Sequence, residues 1–276
     1  MALFKRLARI AAFAALFILL WSLPYGPLFP WSPFKPGYDH LTLARADVYW
    51  PKGRPLEPAY RRVDQMIEQT ERYQGFSIPK RITVVECADW NDFFRFAPMN
   101  RTHAVAGLTI VTGTEIYITP KSGEKKLDTG EFLLHEISHA CLDQNSALWR
   151  AFKMNKWAWV MEGIAVSNGR QKAYLTLDEF IAQARTVPFP LVIGPKLDEL
   201  PEPRNMRFNY VAWRYFLEFM RKTRGEPRFH SFLQAFVDSP DDALSSFEKA
   251  YGTTVAVAAE EFQNQVRGGN WHDDRQ

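Results

Sequence analysis

The chain has 276 residues, 46% of them hydrophobic, enough for one substantial domain or a domain with a helical subdomain. Its formal net charge is only +3, from 34 basic and 31 acidic side chains, and the basic residues are scattered. This excludes a broad nucleic-acid footprint; clusters such as Arg61-Arg62 and Arg221-Lys222-Arg224 read as solvated helix faces.

At the N-terminus, Lys5, Arg6 and Arg9 precede the apolar run 10–23, a signal-peptide or signal-anchor pattern. The run is short for a span, which wants about twenty apolar residues, but no small-x-small cleavage site follows it. The expectation is a membrane anchor over residues 1–24, leaving the rest of the chain on the outer (periplasmic or extracellular) side. If the segment is cleaved, the product is secreted. Pro24, Pro27, Pro30, Pro33 and Pro36 then recur every third residue, the repeat of a polyproline II helix. Residues 25–37 thus read either as a stiff linker or as an apolar strap packed on the domain.

Residues 38–267 form the main body in this reading, with a frayed tail over 268–276. Val63, Met66, Ile67 and Thr70 recur at helical spacing within 56–73, and Gly75 stops that helix. Residues 81–87, RITVVEC, read as a strand by their β-branched alternation. A short helix over 89–96 and strands over 108–111 and 115–119 complete a small sheet. Cys87 on the first strand and Cys141 further on are either a disulfide or two buried thiols.

The run 133–142, LLHEISHACL, contains His135-Glu136-Ile137-Ser138-His139, an HExxH pattern. Asp128 is a candidate N-cap with Glu131 three residues on, and Phe132, Leu133, Ile137 and Ala140 give the helix an apolar face. Two His four residues apart lie one turn apart on one helix face, so both imidazoles can reach a single metal ion. Zinc suits imidazole and tolerates an open position for catalysis. Glu136 points about 100° away from His135, where it can face an attacking water without ligating the metal. A third ligand is needed. Glu162 is the sole acid of the apolar run 157–167, WAWVMEGIAVS, and a carboxylate there is costly unless a cation compensates it. The alternative is a surface-facing Glu on an amphipathic helix. Cys141, two residues past His139, lies on a different face, which argues against a closed four-ligand structural site.

HExxH followed by WxxEGxA, here Trp159-Val160-Met161-Glu162-Gly163-Ile164-Ala165, resembles the gluzincin peptidases, and more narrowly the peptidase MA-like zincins. The resemblance implies an α+β zincin-like domain with a small mixed sheet (38–145) followed by a helical subdomain (146–267). It implies that His135, His139 and Glu162 bind Zn²⁺, that Glu136 is the general base, and that the substrate is a peptide or protein segment. It also implies that the strand before the metal helix, residues 114–119, borders the cleft and pairs with extended peptide. The alternative is an inactive zincin-like envelope protein that holds a partner in the cleft.

Beyond Glu162, Gly169 closes its helix, 176–186 reads as a short helix and 188–205 as a Pro-rich loop. Residues 208–223 form an aromatic helix, and helices over 229–237, 241–251 and 254–266 follow. In the resembling family a helix like 208–223 carries a Tyr near its start, and Tyr210 occupies that place. The implied role is a phenol donating to the oxyanion of a tetrahedral intermediate. The alternative is core packing, and Tyr117 and Tyr174 stay open as substitutes. His40, His103, His230 and His272 have no ligand-like spacing.

Overall fold

The computed structural model describes residues 2–25, 32, 35–97, 106–120, 128–171, 174–186 and 203–271. Five strands form one mixed sheet in the order β1-β2-β3-β5-β4. They are β1 (Tyr38–Thr42), β2 (Ala46–Pro51), β3 (Ile82–Glu86), β4 (Gly107–Thr109) and β5 (Glu115–Ile118). β2, β3 and β5 are parallel, whereas β1 and β4 pair antiparallel at the two edges. The α+β class with a small mixed sheet is as expected from sequence. The hairpin of β1 and β2 was not: its alternation is broken by Asp39, His40 and Asp47.

Side-chain alternation divides the core. Ile82 and Val84 of β3, with Ile116 and Ile118 of β5, face the main cluster; Val85, Cys87 and Tyr117 face the other way, onto Phe93 and Phe96 of α3 (Trp90–Phe96). The main cluster joins α2 (Val63–Gln74) and α4 (Thr129–Gln144), where Leu133, Ile137, Ala140 and Cys141 are buried. Cys87 and Cys141 therefore lie in separate clusters, and both are buried free thiols.

After α4 come α5 (Leu148–Met154), α6 (Ala158–Gly169), α7 (Leu177–Thr186), α8 (Pro203–Arg224), α9 (Glu226–Asp238), α10 (Ala243–Tyr251) and α11 (Val255–Arg267). Helix α8 starts at Pro203, earlier than the residue 208 expected, because Pro is well placed in a first turn, where its missing N–H costs nothing. The predicted loop 188–205 lies otherwise largely outside the described residues. The predicted tail is packed at its start: Trp271 is buried, with its ring 5.5 Å from that of Phe262.

Helix α6 runs between α4 and α8. The Glu218 carboxylate of α8 ties them, accepting from Ser167 Oγ at 2.7 Å and from Arg214 Nε at 3.1 Å, all three groups being buried. Gly163 sets the approach: a Cβ there would lie 2.8 Å from Leu217 Cδ1 and 3.1 Å from the Trp213 carbonyl oxygen. The glycine after the acid in WxxEGxA is thus a packing requirement. Gly163→Ala should destabilise the fold by about 1–3 kcal/mol through overpacking. An unchanged denaturant midpoint would count against that close fit.

The N-terminus departs from expectation. Helix α1 (Ala2–Tyr25) carries exposed apolar side chains from Leu7 to Trp21, but no helix among the described residues is long and apolar enough to cross a membrane. The expected anchor thus finds no support in a spanning helix among the described residues. The run of fourteen residues 10–23, apolar but for Ser22, extends about 21 Å as helix, and Lys5, Arg6 and Arg9 precede it in the same helix. Most of the Pro-rich segment lies outside the described residues. Ser32 and Lys35 within it are buried, and Lys35 Nζ sits 5.0 Å from the Tyr49 ring centre, as for a strap resting on the sheet.

Candidate metal centre

Helix α4 begins as its sequence dictates: Asp128 accepts from the Gly130 and Glu131 amides at 2.8 and 3.3 Å. About two turns later His135 and His139 share a face, with Nε2 atoms 3.1 Å apart. Helix α6 brings Glu162 to them. Its Oε2 lies 3.4 Å from His135 Nε2 and its Oε1 3.8 Å from His139 Nε2. A tetrahedral ion with bonds of about 2.0–2.1 Å spaces its ligands by about 3.3 Å. The three side chains offer ligand atoms all within 4.8 Å of one another and form the one such group of three or more among the described residues. Two imidazoles and one carboxylate are the donor set of an open catalytic zinc site.

Burial opposes charge at all three positions, and the arrangement overrides it where opposite charges meet. Burial disfavours the His135 imidazolium, but the adjacent Glu162 carboxylate outweighs it and holds the pKa above the ordinary value. Glu162 responds in kind: burial would raise it, and the bond to His135 brings it below the usual carboxylate range. His139 loses the contest, lowered to about 4 by burial with only partial relief from Glu162. Burial thus favours the neutral imidazole at His139, and the Glu162 carboxylate favours the charged one at His135.

Glu136 projects from the same helix toward the sheet. Thr109 Oγ1 donates to its Oε2 at 2.8 Å and lies 2.9 Å from its backbone carbonyl. Gly107, two residues earlier on β4, leaves the room the carboxylate occupies: a Cβ there would lie 2.7 Å from Oε1 and 2.8 Å from Cγ. Burial raises the Glu136 pKa, with the His135 charge and the Thr109 bond opposing it.

Here the structure corrects the expected cleft strand. Residues 114–119 contain β5, which is interior, paired with β3 on one side and β4 on the other. The strand against Glu136 is β4, at the sheet edge. A chain turning back antiparallel at Gly113, with φ +68, puts the earlier strand outermost. A strand over 108–111 was legible, but the part of Gly107 and Thr109 against Glu136 was not, because it depends on a contact with a distant helix.

Tyr210 lies on α8 with Tyr174 beside it, ring centres 5.2 Å apart and nearly perpendicular. Burial pushes both phenols well above their ordinary range, and the charges of Glu162 and Glu136 act on both in the same direction. Both are therefore neutral hydrogen-bond donors. Tyr117 belongs to the opposite face of the sheet. His40 stacks on Tyr49, and His230 pairs with the Tyr73 carbonyl at 3.2 Å, apart from this cluster. His103 and His272 lie outside the described residues.

Asp143 lies seven residues past Glu136 on α4 and is buried, with Oδ1 unpartnered among the described residues. Burial, reinforced by the Glu136 charge, pushes it up to about 8 from an ordinary 3.8. The folded chain thus keeps a proton that the unfolded chain releases, so this group's share of stability is complete below pH 4 and is lost as pH rises toward 8. Asp143→Asn should leave the melting temperature unchanged at pH 3.5 and raise stability on the order of 2 kcal/mol at pH 7. Thermal melts at both pH values check this.

No family model and no curated protein matches the chain. Among solved structures it is similar to the M1 zinc metallopeptidase from Deinococcus radiodurans, at a TM-score of 0.49 and 14% identity over 86% of this chain and 52% of that one. A form of that enzyme bound to a Tyr-Ser-Ala substrate gives a TM-score of 0.47 at 14% identity, over 85% of this chain and 51% of that one. The chain thus spans about half the length of the structures it matches.

Proposed function

We propose that the chain is a zinc-dependent peptidase that hydrolyses peptide bonds, with His135, His139 and Glu162 as metal ligands and Glu136 as general base. The observation that supports this most is the convergence of three ligand side chains from two helices beside a fourth, non-ligating carboxylate fixed by its own hydrogen bond. Zinc bound there supplies Lewis acidity toward a scissile carbonyl and toward water. Glu136 takes the proton of the attacking water and returns it to the leaving amine. Thr109 holds the carboxylate in place for both transfers. The Tyr210 phenol, kept neutral by burial, donates to the oxyanion, with Tyr174 packed against it. β4 offers the sheet edge along which an extended peptide can lie.

We further propose that the chain acts outside the cytoplasm, on the strength of the basic flank and the short apolar run of α1, whose fourteen residues suit an export signal. Cell fractionation tests this; recovery in the cytoplasm alone rejects it. For the activity, zinc content and cleavage of a diverse peptide library are measured on the same preparation. Stoichiometric zinc with cleavage lost on chelation and restored by zinc is the expected result. A zinc-loaded protein that cleaves no peptide in the library rejects it.

A further inference from the structure

We propose that Gln171 is the positioning residue that sets His135 for metal binding, and that it does so as an uncharged acceptor. The inference rests on reading His135, His139 and Glu162 as a metal centre. Gln171 Oε1 lies 3.0 Å from His135 Nδ1, and both side chains are buried. An amide oxygen facing Nδ1 requires the imidazole proton on Nδ1. In the neutral imidazole, His135 Nε2 then carries the lone pair, directed at the space shared with His139 and Glu162. The reverse amide orientation would put the proton on Nε2 and block that atom from a metal.

The backbone explains how a residue nine positions past Glu162 reaches a ligand on another helix. Helix α6 ends at Gly169, where a Cβ would lie 2.7 Å from the Glu131 carbonyl oxygen and 3.4 Å from the His135 amide nitrogen. That missing side chain lets the end of α6 press against the first turns of α4. Arg170 then adopts a left-handed conformation, φ 50, the single positive φ outside glycine among the described residues. The reversal sends the Gln171 amide back to the Val166 carbonyl at 3.4 Å and its side chain onto His135. One helix thus delivers the third ligand near its start and the orienting group for the first ligand at its end.

Gln171 Nε2 is buried without a partner among the described residues, and its oxygen makes the bond to His135. A carboxylate would make the same bond with no stranded donor and would add a negative charge. With Gln171, the bond to His135 brings no further negative charge to a site that already holds the Glu162 and Glu136 carboxylates.

The test compares the wild-type chain with Gln171→Leu and Gln171→Glu. The readouts are zinc affinity by chelator competition, the visible spectrum of the cobalt-substituted protein, and far-ultraviolet circular dichroism for the fold. Gln171→Leu should keep the fold, weaken zinc binding about 10–100-fold and alter the cobalt spectrum. Gln171→Glu should restore the orienting bond and bind zinc at least as tightly as wild type. A folded Gln171→Leu with wild-type affinity and spectrum overturns the inference alone. If the Leu variant does not fold, the Glu variant decides: weaker zinc binding than wild type overturns the inference, and equal or tighter binding upholds it. A wild-type protein that takes up neither zinc nor cobalt overturns the reading of the metal centre, and this inference with it.

Discussion

Glu136→Gln should abolish peptide hydrolysis, by roughly 10²–10⁴-fold in kcat, while zinc uptake is unchanged. The amide keeps the shape and can still meet the Thr109 hydroxyl, but it has no basic oxygen to take a proton. Because Glu136 ligates nothing in the proposed site, the three ligand side chains are untouched. The wild-type pH profile carries a matching signature. Burial raises the Glu136 pKa, and the base must be ionised to act, so kcat/KM should fall as pH drops through a value above the ordinary carboxylate range. The acidic limb should vanish from whatever residual rate the Gln variant shows. Full activity in that variant would remove Glu136 from the chemistry, and loss of zinc would make it a ligand.

Gly107→Ala should cost about 10²-fold in kcat with little change in zinc content. The new methyl would collide with Oε1 and Cγ of Glu136, at 2.7 and 2.8 Å. The carboxylate would have to swing away, breaking the 2.8 Å bond from Thr109. An error of about 1 Å in a proton-transferring group is enough for such a loss. Thr109→Val separates the two causes: it removes the bond without filling the space, so its loss should be smaller. Equal activity in Gly107→Ala and wild type, under steady-state kinetics, would show that β4 does not confine the base.

Periodicity made the helices legible. Val63, Met66, Ile67 and Thr70 mark the buried face of α2, and the left-handed Gly75 ends it. HExxH is legible because helix geometry alone puts residues i and i+4 together. Glu162 was legible by contrast, as one acid in an apolar run. What could not be read depends on contacts between distant segments. Which strand lies outermost is decided by pairing between 107–109 and 116–118, not by either segment's own pattern. Thr109 reaches Glu136 across 27 positions and Gln171 reaches His135 across 36. Neither has a spacing that announces it. At the N-terminus the basic flank and short apolar run left anchor and signal open, and the described helix, not long and apolar enough to cross a membrane, lends the anchor no support.

The mutual hold of His135 and Glu162 bears on how the proposed metal centre would behave once its ion is removed. Two groups that satisfy each other, His135 buried and Glu162 half-buried, need no metal to keep their helices together, so a chelator should yield a dormant chain with its shape intact, ready to be recharged. Acid acts differently: the imidazoles bind a metal only when neutral, and His135 takes up a proton before Glu162, whose carboxylate is held low, so the ion should be shed while the surrounding helices still hold.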